Sequence, residues 1–263
     1  MKLVAHVSGR EILKNPRLIE QFAEVGLGVE LQLTAEVLDS LTLKDFGKLR
    51  RLAGGAPITV HAPFIDLNPG ALDPYVLKAT RDRFFETITA AKVLNAEVIV
   101  FHTGYHPQKV DPFYESWFER ALETFKEVTE EWNRKVALEN VFDRTPKNLK
   151  NFVENLPENA GVCLDVGHMN LFSEVPVSLW FEMLGNRIYE FHLHDNLGIQ
   201  DSHLPMGLGT VNYPEVFAQM EKLKQEYILN LENKSYEDVL KSLEFLRRNV
   251  KWREISLSTP TKS

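Results

Sequence analysis

The stretch 189–210, YEFHLHDNLGIQDSHLPMGLGT, gathers His192, His194, Asp195, Asp201 and His203 into one strand and the loop behind it. Taken with the period of two that a strand imposes, Glu190, His192 and His194 point one way, and Phe191 and Leu193 point the other. One face is apolar and the other carries groups that bind cations. Imidazoles and carboxylates turned inward on one strand need something to hold, and a divalent metal satisfies both types.

Other segments repeat this alternation. Ile58 and Val60 flank Thr59, with His61 next; Ile99 and Phe101 precede His102. Val136 and Leu138 alternate with Ala137 and Glu139, Val162 and Leu164 with Cys163 and Asp165, and Leu229 and Leu231 with Asn230 and Glu232. In each the bulky residues form one face, and the other face ends in a metal-type ligand. His61, His102, Glu139, Asp165, His192 and Glu232 are thereby expected at the carboxyl ends of six strands, pointing to a common interior. The chain has eight histidines, and all of them (His6, His61, His102, His106, His168, His192, His194 and His203) fall at strand ends or in the loops after them. Such positions cover about a third of a barrel, so chance would place only about three there.

Each motif alone has a duller reading. A strand-end histidine often only bonds to its loop, and Asp201-Ser202-His203 could be a solvated turn. A carboxylate inside a barrel is costly unless paired or coordinated. For Glu139 and Glu232, however, no lysine or arginine takes a neighbouring inward position. Asp165-Val166-Gly167-His168 sets two ligand types three residues apart across a strand end. Gly207-Leu208-Gly209 could bring backbone N–H groups to a phosphate. Lys109, Arg144 and Lys234 come after strands and could meet a substrate, or be solvated surface charges. Phe64, Trp117 and Trp180 could line a pocket or pack, and Cys163 reads as a small interior residue.

The elements that must position these groups alternate in type. Strands are expected at 2–8, 28–33, 57–61, 97–102, 135–140, 161–166, 187–194 and 226–232. Helical patterns cover, among others, 73–94, 112–132, 146–156, 213–224 and 236–248. Pro74, Pro112 and Pro214 mark first turns, with Asp73 and Asp111 as candidate N-caps. Eight strand–helix units at about 30 residues each predict an α/β fold, a single closed (β/α)8 TIM barrel, with the active site at the carboxyl ends of the strands. An open doubly wound sheet is the alternative, but its glycine-rich first turn is missing: the first turn here reads Ser8-Gly9-Arg10. No linker or low-complexity segment divides the chain. Residues 1–250 are expected to form the barrel, with 251–263 as a polar, frayed tail.

The chain has 263 residues, 44% of them hydrophobic and 25% charged, and a net charge of −7. That is ordinary for a globular protein and the wrong sign for broad attraction to nucleic acid. No segment approaches the roughly 18 apolar residues of a membrane span. The first residues, MKLVAHVSGR, read as a strand rather than a secretory signal. The single cysteine, Cys163, allows no internal disulfide, and a reducing cytoplasm is the expected setting.

Together HAPF (61–64), FHTG (101–104), LEN (138–140), LDVGH (164–168), FHLHD (191–195), DSHLPMGLG (201–209) and LEN (231–233) resemble the xylose isomerase-like barrel superfamily. That superfamily includes sugar and sugar-phosphate isomerases and epimerases, hydroxypyruvate isomerase-like and inosose dehydratase-like enzymes, and endonuclease IV. Resemblance to the ketose epimerases implies one divalent metal on Glu139, Asp165, His192 and Glu232. The two glutamates would also be the proton-transfer pair, and His168 would touch substrate. Resemblance to endonuclease IV implies three zinc ions on His61, His102, Glu139, Asp165, His168, His192, Asp201, His203 and Glu232. Against the nuclease stand the short acidic stretch QLTAEVLDS after the second strand, Phe64 where that family has tyrosine, and the acidic net charge.

The expected function is therefore a divalent-metal-dependent isomerase or epimerase of a small sugar, sugar phosphate or related polyol. Glu139 and Glu232 would be catalytic, and His61, His102, His168, His194 and Lys234 would bind substrate. Zinc or manganese is expected, at one to three ions per chain. A carbohydrate is the expected partner, not a membrane or nucleic acid, and a homo-oligomer is compatible with the chain. The alternatives are an endonuclease IV-like phosphoester hydrolase and a metal-bearing barrel without catalysis.

Overall fold

Eight short strands, each apolar on its outer face, need a helical layer to cover that face, and the intervening segments supply it. The computed structural model, which describes residues 1–109 and 112–250, shows how. The strands are β1 (Lys2–Val7), β2 (Gly28–Gln32), β3 (Ile58–His61), β4 (Val98–His102), β5 (Lys135–Glu139), β6 (Ala160–Asp165), β7 (Ile188–Leu193) and β8 (Ile228–Leu231). They pair in parallel in sequence order, and β8 closes onto β1. The molecule is a (β/α)8 TIM barrel.

Helices form the outer ring. Three of the crossovers carry two helices rather than one. They are α1 (Gly9–Lys14) and α2 (Arg17–Glu24), then α3 (Ala35–Ser40) and α4 (Leu43–Leu52), and later α8 (Val166–Phe172) and α9 (Val177–Leu184). Local chemistry splits each pair. Pro16 and Pro176 sit between helices, where proline lacks the N–H a continuous helix needs. Thr42 opens α4 with a capping box to Asp45. The stretch QLTAEVLDS is thus not an open loop: Thr34 caps α3 by accepting from the Val37 N–H. Single helices complete the ring: α5 (Pro74–Leu94), α6 (Phe113–Glu131), α7 (Lys147–Asn155), α10 (Tyr213–Met220) and α11 (Tyr236–Asn249). Asp73 caps α5 with Pro74 at its start, and Pro214 opens α10, as their types suggest. Pro112 is the N-cap of α6, while Asp111 and the expected tail, 251–263, lie outside the described residues.

The expected alternation of faces is seen inside the barrel. Ile99, Phe101, Leu138 and Leu164 pack outward with the helices. Val4, Val98, Val100, Ala137, Cys163 and Ile228 form a separate apolar cluster within the barrel. Nearer the carboxyl ends the interior turns polar. Thr59 donates to Glu190 at 3.1 Å, and Asn230 donates to Glu30 at 2.7 Å, all four fully buried. Above them lies the ligand-type layer, and the cross-strand register aligns it: His102 pairs with Glu139, and Asp165 with His192.

Candidate metal and active site

Glu139 is the last residue of β5, and it lies at the centre of the carboxyl-end cluster. Its Oε2 lies 3.0 Å from His61 Nε2 and 3.2 Å from His102 Nε2. Its Oε1 lies 3.2 Å from His168 Nδ1 and 3.8 Å from His192 Nδ1. Asp165 ends β6 and caps α8, its Oδ1 accepting from the His168 N–H at 2.6 Å. Its other oxygen lies 3.1 Å from His194 Nε2 and 3.8 Å from His192 Nδ1. Glu232, one residue past β8, brings Oε2 to 3.0 Å from His192 Nδ1.

The junction of β5 and β6 is extended by a side chain. Asn140 comes directly after the last residue of β5, and its amide donates to the Asp165 carbonyl at 2.9 Å while accepting the Asp165 N–H at 2.7 Å. A carboxamide has the donor and acceptor of a peptide group, so Asn140 adds a further rung where the ladder ends. That rung fixes the backbone from which Asp165 reaches the cluster.

Three histidines share one arrangement. Nδ1 of His61, His168 and His203 lies 2.8, 3.0 and 2.9 Å from the carbonyl oxygens of Ala62, Asn140 and Glu232 respectively. A carbonyl only accepts, so each Nδ1 carries the proton and each Nε2 is left for the cluster. Nε2 of His168 and His203 lies 3.4 and 2.9 Å from Asp201. Metal-binding histidines are commonly oriented this way, with the far nitrogen donating to a carbonyl or carboxylate. His203 also has φ +51°, a left-handed backbone uncommon for non-glycine residues and concentrated at functional sites.

The ionic groups of the cluster are carboxylates and imidazoles. Among the described residues no lysine or arginine pairs with Glu30, Glu139, Asp165, Asp201 or Glu232, and imidazoles are their only ionic partners. Burial alone would raise Glu139 and Glu232, yet the imidazoles hold both well below the usual carboxylate range. The carboxylates draw protons onto the rings in return. Burial would lower His203, but Asp201 and Glu232 raise it to about 9, and His168 and His192 are likewise pushed well above the usual range against burial. His102 is the exception, where burial outweighs Glu139 and lowers it.

The donor set fits a divalent cation. Glu139, Asp165 and His192 each offer an atom within 4.8 Å of the others; so do His61, His102 and Glu139, and also His194, Asp201 and His203. His192 Nδ1 and Glu232 Oε2 are both buried and face each other at 3.0 Å, but neither has a hydrogen-bond partner. Two buried donor atoms this close, in a geometry that does not make a hydrogen bond, suit a shared cation. Nitrogen with carboxylate oxygen is the donor mix that zinc and manganese accept.

A cavity of about 1040 Å³ opens above this layer. His61, His102, Glu139, His168, Asp201, His203, Glu232 and Lys234 all line it, with Phe64, Phe142 and Phe172 as apolar wall. Phe64 stacks on His102 at 4.2 Å. Asp165 and His192 lie beneath, fully buried. His194, expected to meet substrate, lies off the cavity wall: it is fully buried, bonded to Asp165 and stacked on His203 at 4.1 Å. In Gly207-Leu208-Gly209, which could have met a phosphate, the first two amides are used within the protein, Leu208 N–H donating to the Pro205 carbonyl. The Gly207 N–H donates to Asp195 Oδ2, and a Cβ on Gly209 would lie 2.2 Å from Asp195 Oδ1. Asp195, fully buried, also accepts from the N–H groups of Asn196 and Val211 and so ties down this loop. Arg144 pairs with Glu174, Lys109 lies over the Trp117 ring, and Trp117 and Trp180 are packing residues.

Two features of the site lie outside the expected residues. Glu30 lies in β2 between the outward Val29 and Leu31, fully buried and in contact with His192, and the same period of two would have marked it. His6 lines the cavity, with Nδ1 at 3.2 Å from Glu30.

A family model described as xylose isomerase-like TIM barrel matches residues 20–249. An uncharacterized protein of Methanocaldococcus jannaschii, MJ1311, is 32% identical over 202 residues, covering 72% of this chain and 69% of that one. Among solved structures, a D-tagatose 3-epimerase-like protein is 29% identical with a TM-score of 0.79, covering 95% of this chain and 97% of its own. The TTHB071 protein of Thermus thermophilus, from a crystal soaked with ZnCl2, shares the fold at a TM-score of 0.80 and 24% identity, over 97% and 100% of the two chains.

Proposed function

The chain belongs to the xylose isomerase-like TIM barrel family, and we propose that it is a divalent-metal-dependent isomerase or epimerase of a small sugar, sugar phosphate or related polyol, working by proton transfer. One observation carries this reading: two carboxylates from separate strands, Glu139 and Glu232, converge on His192 Nδ1 at 3.8 and 3.0 Å at the floor of a cavity with room for a small polyol. The likeness to a D-tagatose 3-epimerase-like protein across nearly the whole barrel supports it.

Glu139, Asp165, His192 and Glu232 would hold the ion. When bound, a divalent ion polarises a carbonyl and the adjacent hydroxyl, which acidifies the hydrogen on the carbon between them. The remaining work falls to the chain. Glu232 lines the cavity, and with Oε2 turned to His192 its other oxygen, Oε1, is suited to remove that hydrogen as a base. Glu139 lies 3.2 Å from His168 Nδ1, the protonated nitrogen, from which a proton can reach it for return to the same carbon. His61, His102 and His168 line the cavity and offer ring nitrogens to substrate hydroxyls, and Phe64 offers a flat apolar face to the sugar's C–H groups. Lys234 is the one lysine or arginine among the described lining residues, which suits a neutral polyol or a single phosphate better than a doubly phosphorylated sugar.

A second reading has one observation in its favour. His61, His102, Asp201 and His203 supply ligand-type atoms beyond the four, in groups tight enough for further ions, and His168 Nε2 lies 3.4 Å from Asp201. Fully occupied, they would suit a multi-zinc phosphoester hydrolase. The experiment is to incubate zinc- or manganese-loaded protein with ketoses and ketose phosphates in D2O and monitor them by proton NMR. Entry of one deuteron at the carbon next to the carbonyl, with a new isomer, is the expected result. No exchange across the panel, together with cleavage of abasic duplex DNA, would replace this reading with the hydrolase.

A further inference from the structure

Glu30 lies one level below the candidate ligands and is not among them. It is fully buried at the middle of β2, and its two oxygens go to two different imidazoles. Oε2 lies 3.2 Å from His192 Nε2. Oε1 lies 3.2 Å from His6 Nδ1 and accepts from the Asn230 amide at 2.7 Å. The Asn230 N–H can only donate, so the arrangement that satisfies both Glu30 oxygens is an ionised carboxylate receiving three N–H groups. When His192 binds a cation, the proton it keeps is then the one on Nε2, and Nδ1 supplies the lone pair. That is the buried nitrogen without a hydrogen-bond partner, facing Glu232 at 3.0 Å and both Glu139 and Asp165 at 3.8 Å.

We propose that Glu30 is a positioning residue that locks His192 in its Nε2–H form, aims Nδ1 at the Glu139–Asp165–Glu232 cluster, and so sets the affinity of this site for a divalent cation. The same carboxylate orients His6, which lines the cavity and retains Nε2 as its lone-pair atom. Glu190 also has an oxygen within 4.8 Å of Glu30 and the His192 ring, but its hydrogen bond is with Thr59. This inference rests on the four-residue site proposed above.

The test uses Glu30→Gln, which keeps the shape and removes the charge. Zinc affinity is measured by competition with a chromophoric chelator, beside urea unfolding of the metal-free protein. The expected result is zinc binding 10- to 100-fold weaker, with a cooperative unfolding transition retained. Affinity within about threefold of the wild type would overturn the proposal. Should the variant not fold, the zinc-loaded wild type decides: histidine 15N shifts should give His192 a metal-bound Nδ1 and a protonated Nε2. The opposite assignment overturns the proposal. Wild-type protein that binds no zinc would remove the four-residue site itself, whereas equal binding by wild type and Glu30→Gln would remove only the role of Glu30.

Discussion

Replacing Asn140 with alanine should destabilise the barrel far more than its position after a strand suggests. The side chain is buried, 1% exposed, and makes two hydrogen bonds to the fully buried backbone of Asp165, at 2.9 and 2.7 Å. Alanine strands one N–H and one carbonyl. Each unsatisfied buried group costs about 1–3 kcal/mol, so the sum is about 2–6 kcal/mol. Water entering from the cavity would recover part of this, and about 3 kcal/mol is expected. Against a typical total of about 5–15 kcal/mol, that is a large share. Asn140→Asp should be no better: it keeps the acceptor, turns the donor into a second acceptor facing a carbonyl, and adds charge beside Glu139. The assay is urea unfolding of chelator-treated protein by tryptophan fluorescence, because bound metal would add its own linkage. A loss under about 1 kcal/mol would refute the idea that Asn140 acts as an extra rung between β5 and β6.

Asp143 gives a pH-dependent prediction. Burial raises its carboxyl from 3.8 to about 7, with one bond from Asn148 and Oδ2 without a partner. The folded state therefore holds a proton that the unfolded state releases between about pH 4 and 7, so stability falls as pH rises through that window. Asp143→Asn should stabilise by about 3–4 kcal/mol at pH 8 and progressively less toward pH 4; equal effects in melts at pH 5 and 8 would sink the idea. Gly167→Ala would put a Cβ 2.0 Å from the buried His194 ring, which bonds to Asp165. A loss of about 1–3 kcal/mol is expected together with weaker zinc binding, both read by the assays above; unchanged zinc affinity would separate His194 from the site. Glu139→Gln should lower turnover of the true substrate by about 10²–10⁴, and retained turnover would remove Glu139 from proton transfer.

The closed barrel was legible because each strand alternates bulky outward residues with small or polar inward ones, and because the inward set ends in a ligand type. The same rule holds at GVELQ, where Val29 and Leu31 bracket Glu30, but Glu30 precedes the strand end and so is not part of the pattern of terminal ligands. The split crossovers were harder to see. Helices of six to eight residues such as α1 and α3 complete barely two turns, too short for a helical period to emerge. Depth was not legible either. Period two assigns His192 and His194 to one face, but whether a ring meets the cavity or lies under it depends on where the 195–212 loop returns. The Asp195 contacts with Gly207 and Val211, which tie that loop down, join residues 12 and 16 apart and leave no local periodicity.

The central claim is that Glu139, Asp165, His192 and Glu232 hold a divalent cation on which an isomerase or epimerase depends. Its most direct test is elemental analysis of protein purified without chelator or metal-affinity resin, wild type beside His192→Gln. One zinc or manganese per chain, lost in the variant, is the predicted result. No divalent metal in the wild type, or two to three ions retained when His192 is replaced, would contradict it.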